Sequence, residues 1–116
     1  MKLRGTRTEN EYRAELICTH EHQFGAKSVS AFKNVLLKLG ENPDNAYILE
    51  WIPDQGEDIL LIYLSGDRLV SIELDRNDSK IAPIVEYRDF HAYTQKQSKS
   101  NQIKLAVAQE LSNATA

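Results

Sequence analysis

The chain has 116 residues, 41% of them hydrophobic and 27% charged, with a formal net charge of −3. That length makes one domain, 1–116, large enough to bury a single core without staples. The acidic balance argues against a nucleic-acid partner, whose binding rests on phosphate neutralisation, and the single cysteine, Cys18, excludes an intrachain disulfide and fits a reducing cytoplasm.

The start, Met1-Lys2-Leu3-Arg4-Gly5, lacks the apolar stretch of a signal peptide, and no apolar run approaches the ~20 residues that span a bilayer. The next segment fits two periods. Thr8-Glu9-Asn10-Glu11 matches a capping box, and Tyr12 with Leu16 is an i, i+4 pair, so a helix could start at about Glu9. Tyr12, Ala14, Leu16 and Cys18 also alternate with Arg13, Glu15, Ile17 and Thr19, and Leu16-Ile17-Cys18-Thr19 favours β structure. We read residues 9–19 as a strand, an addition to the sheet that follows.

Gly25 ends this segment, and a helix follows over 29–39. Ser28 or Ser30 can cap it, and Val29, Phe32, Val35, Leu36 and Leu39 form an apolar stripe. Gly40 stands where a helix favours a left-handed residue, and Pro43 prevents continuation.

Four short segments then read as an antiparallel meander: 46–52, 59–64, 68–75 and 81–87. The second, apolar on both faces, is expected in the interior of the sheet. Ser65-Gly66-Asp67 joins it to the third, where Val70, Ile72 and Leu74 point one way and Leu69, Ser71, Glu73 and Asp75 the other. In the first, Tyr47, Leu49 and Trp51 share one face and Ile48, Glu50 and Ile52 the other, with Trp51 expected in the core. Pro83 places the fourth at an edge or on a bulge. Residues 89–93 read as irregular or as a kinked continuation. A last helix over 101–111, capped by Ser100, carries Ile103, Val107 and Leu111 on a narrow stripe. The fold class is therefore α+β: a four- to five-stranded antiparallel meander with a helix before it and a helix after it, (β)αββββα.

The residues with chemistry are few. On a strand, Cys18, His20 and His22 would share one face and could hold zinc or copper. His91, the remaining histidine, could complete that set, or pair with His20 or His22 for nuclease-like acid–base catalysis. The bland alternative is a strand end running into a solvated loop, with Cys18 as a small core residue, and no cofactor is expected. The lysines Lys96, Lys99 and Lys104, like Lys2, Arg4 and Arg7, read as solvated faces.

The acids carry a stronger pattern. Asp54, Glu57, Asp58, Asp67, Glu73, Asp75 and Asp78 lie in one interval whose only basic residues are Arg68 and Arg76. They could form an acidic face for a basic protein. In outline the chain resembles small immunity and accessory proteins, a likeness of general architecture alone. The expected function is that of a cytoplasmic protein-binding module, of inhibitor or immunity type, with the histidine- or metal-based enzyme as the alternative.

Overall fold

The computed structural model describes residues 9–25, 27–28, 30–54, 56–75, 77–78 and 80–115, without the side chains of Asp54 and Thr115. Thr8 of the expected capping box, Val29 of the helix stripe, Arg76, and the Lys2, Arg4 and Arg7 cluster lie outside these residues.

The fold is α+β. A four-stranded antiparallel sheet in the order β1-β2-β3-β4 is built from β1 (Tyr47–Asp54), β2 (Glu57–Leu64), β3 (Arg68–Asp75) and β4 (Ile84–Asp89). Helices α1 (Glu9–Phe24) and α2 (Ala31–Lys38) precede it, and α3 (Phe90–Gln95) and α4 (Lys99–Thr115) follow.

The expected N-terminal strand is a helix. Tyr12, Leu16 and Phe24, spaced by four and eight, are its buried residues. Glu9 and Glu11 in the first turn favour the positive end of the helix dipole. The β-favouring Thr19 is accommodated because its hydroxyl donates back to the Glu15 carbonyl at 3.1 Å. The Tyr12 and Ser100 hydroxyls hydrogen-bond across to α4, and Arg13 pairs with Glu110 at 3.1 Å. Docking against α4 thus overrides the local β preference.

In α2, Ser30 caps by accepting from the Lys33 N–H. The helix ends in a Schellman arrangement, with Glu41 N–H donating to Leu36 O at 2.9 Å and Gly40, at φ +80°, donating to Leu37 O at 3.1 Å. Pro43 opens a 3-10 turn, Pro43–Asn45. Asp89 ends β4 and caps α3 by accepting from the Ala92 N–H at 2.8 Å, so the stretch expected to be irregular is a short helix. Ser98, rather than Ser100, caps α4, accepting from Asn101 N–H at 3.2 Å.

The sheet is covered on both faces, as the doubly apolar β2 requires. On one face α2 and Phe24 pack over Ile48, Leu60, Ile62, Leu64, Val70 and Ile72. On the other, α1 and α4 pack Leu16, Leu105, Val107 and Ala108 over Tyr47, Leu49, Leu61, Tyr63 and Leu69. Burying such side chains stabilises by about 1.5–3 kcal/mol each before chain entropy is charged against it.

The β1 register shifts between Ile48 and Glu50, a bulge at Leu49. It corrects the face assignment along the rest of the strand. Beyond it, Glu50 lies opposite Leu61 and Ile52 opposite Ile59, on the α1/α4 face, whereas Trp51 lies opposite Leu60 on the α2 face. Trp51 is 47% exposed rather than in the core.

Candidate functional site

Among the described residues, helices α1 and α4 cover only the part of their sheet face near Tyr47, Tyr63 and Leu69. The strands continue beyond them, towards the β1–β2 turn and the β3–β4 loop. Three cross-strand rows follow from the register. The first holds Glu50, Leu61, Ser71 and Glu86; the second Ile52, Ile59, Glu73 and Ile84; the third Asp54, Glu57 and Asp75. Ile52 is 47% exposed and Ile84 60%. The half-open face therefore combines a row of isoleucines with acids in every row.

The Leu49 bulge makes this arrangement. Without the extra residue, Glu50 and Ile52 would face α2. With it, they align with Glu57, Glu73 and Asp75. Lys104 holds the bulge, its Nζ donating to the Leu49 carbonyl at 2.6 Å and standing 3.9 Å from Glu15 Oε2. Lys104 is thus a tethered, largely sheltered cation and not part of a solvated face.

Like charges directly opposite on adjacent strands repel. Glu57 is opposite Asp75. Two loops crowd the same end: a Cβ on Gly56, at φ +87°, would come within 2.9 Å of Asn77 Nδ2. Asp75 also shapes its loop, its Oδ1 accepting from Asn77 N–H at 2.7 Å and Asp78 N–H at 3.0 Å. At the covered margin, burial first and then the neighbouring Glu50 charge push the Tyr93 hydroxyl above its ordinary pKa. Arg88 sits on this face too, 3.4 Å from Glu86.

Of the seven acids expected to act together, the structure brings Glu57, Glu73 and Asp75 onto one face, with Asp78 exposed in the adjoining loop; the Asp54 side chain lies outside the described residues. Asp58 lies on the other face, accepting from Trp51 Nε1 at 3.3 Å. Asp67 stands at the far end of the strands, at φ +55°, accepting from the Tyr63 hydroxyl at 2.6 Å and from Gln109 Nε2 at 2.7 Å. Sequence reasoning missed Glu50, Glu86, Ile52, Ile59 and Ile84 as members of the face. Strand alternation in β2 and β4 could have placed Ile59, Ile84 and Glu86; Glu50 and Ile52 needed the bulge.

The histidines stand apart. His20 Nδ1–H donates to the Ala46 carbonyl at 2.6 Å, and its ring stacks on Tyr47 at 4.5 Å. Cys18 and His22, four apart on α1, are both exposed, and the helix turns His20 away from them. His91 packs edge-on against Phe90. Among the described residues no group of three or more His, Cys, Asp or Glu is placed to hold a metal ion. No helix among them is long and apolar enough to cross a membrane. No protein-family model, curated protein or solved structure matches this chain.

Proposed function

We propose that this chain is a protein-binding module, cytoplasmic and of inhibitor or immunity type, that receives a basic partner on the acidic half-open face of its sheet. The observation that carries this reading is the pair Glu57 and Asp75 beside the row Ile52, Ile59 and Ile84. Carboxylates in every row of this face give it a negative field that attracts a cationic partner. The isoleucines supply apolar area that a partner can desolvate, while the surrounding acids steer its approach. A partner segment with lysine or arginine flanking a few apolar side chains matches the pair and the row. The catalytic alternative on His20, His22 and His91 draws no support from their separate placements.

The test is affinity capture of the partner, followed by its association rate across ionic strength with wild type and with Glu57→Lys and Glu73→Lys. These positions are preferred to Asp75, whose carboxylate also orders a loop. The reading expects a basic partner whose association slows with salt and with either reversal. A rate indifferent to salt and to both reversals overturns it.

A further inference from the structure

The two edges of the sheet are unlike. The β1 edge is interrupted by the bulge at Leu49 and carries Pro53, both devices that discourage another strand from pairing there. The β4 edge has neither. Its register against β3 is continuous from Ile84 to Asp89, and Pro83 stands just before it. Immediately after β4 the chain turns away, with Phe90 packing edge-on against Tyr63 at 5.3 Å on the α1/α4 face. Among the described residues no strand pairs with the outer side of β4, and Ile84 is 60% and Tyr87 48% exposed.

We propose that β4 pairs with β4 of a second copy of this chain, antiparallel and centred on Tyr87, to make a continuous eight-stranded sheet. The charge order of the strand selects that partner and that register. With Tyr87 opposite Tyr87 of the partner subunit, Glu86 lies opposite Arg88 of the partner subunit, and Arg88 opposite Glu86 of the partner subunit. Two-fold symmetry makes both pairs equivalent. Moving the centre to Glu86 sets glutamate against glutamate, and moving it to Arg88 sets arginine against arginine.

Within one chain, Arg88 Nε already leans to Glu86 Oε1 at 3.4 Å. Those residues are two apart on one strand, about 7 Å along it. A directly opposite residue on a paired strand has its Cβ about 5 Å away. The intermolecular pair is therefore the closer one, and dimerisation exchanges one ion pair per chain for a better-placed one. Antiparallel partners point to the same face of a sheet, so the acidic faces of the two copies would join on one side. The proposal does not depend on what that face binds.

The experiment is sedimentation equilibrium of the full chain over a dilution series. The expected result is a reversible dimer of twice the 13.2 kDa chain. Arg88→Glu alone or Glu86→Arg alone sets like charges opposite and should weaken the dimer by about tenfold or more. The double exchange Glu86→Arg with Arg88→Glu restores opposite charges and should restore the dimer, which separates the pairing from any general effect of changing a charge. In a Cys18→Ser background, Tyr87→Cys should form an interchain disulfide on mild oxidation, and Ile84→Cys should not. A monomer at every concentration overturns the proposal. So does a dimer indifferent to the single reversals, or one that Tyr87→Cys fails to cross-link.

Discussion

Glu41 and Arg68 meet fork to fork. Arg68 Nη1 donates to Glu41 Oε2 at 2.8 Å and Nη2 to Oε1 at 3.0 Å, and the Tyr87 hydroxyl donates to the same carboxylate at 2.9 Å. The cluster ties the chain just after α2 to both β3 and β4. It exists because Arg68 and Tyr87 lie on the same face of adjacent strands, and the Schellman end of α2 delivers Glu41 over them.

The first prediction concerns this cluster and pH. The Arg68 hydrogen bonds hold the Glu41 carboxyl below its ordinary 4.5, against the opposing effect of burial. A depressed carboxylate stabilises the fold fully above its unfolded pKa, and the contribution disappears as pH falls through the folded value. Glu41→Gln should cost about 1 kcal/mol at neutral pH, a modest figure because Arg68 is partly exposed. Urea unfolding across the acid range should show wild type losing a component of stability that Glu41→Gln lacks from the start.

The second prediction concerns Trp51, the protein's only tryptophan. With half its surface in water, its emission should be red-shifted and readily quenched by acrylamide in the native state. Trp51→Ala should cost less than about 1.5 kcal/mol, well below the ~3–5 kcal/mol of a core tryptophan. Blue-shifted, protected emission would contradict the bulge at Leu49.

What the sequence made legible follows from which patterns admit one period only. Strand β3 alternates strictly, and Gly66 marks the turn before it. Helix α2 carries a cap, a stripe and a terminating glycine that agree. The α1 segment misled because a spacing of four, as in Tyr12 and Leu16, fits a strand period of two as well as a helical turn. Only the long-range docking of Tyr12 on Ser100 decides between them. The β1 bulge was hidden for the same kind of reason: the lysine that holds the Leu49 carbonyl lies 55 residues away. The acidic face was legible as a count of charges, but its membership needed the register.

The third prediction concerns the buried and exposed residues of α1, where Cys18, on the face of Leu16 in a strand but exposed on the helix, separates the two readings. Leu16 is fully buried, whereas Ile17 is 40% exposed. Leu16→Ala should cost about 2–5 kcal/mol, and Ile17→Ala much less, about 1 kcal/mol. Cys18, exposed on the helix, should react with a thiol reagent in the native protein at a rate close to that of the unfolded chain. A Cys18 protected until unfolding would contradict this placement.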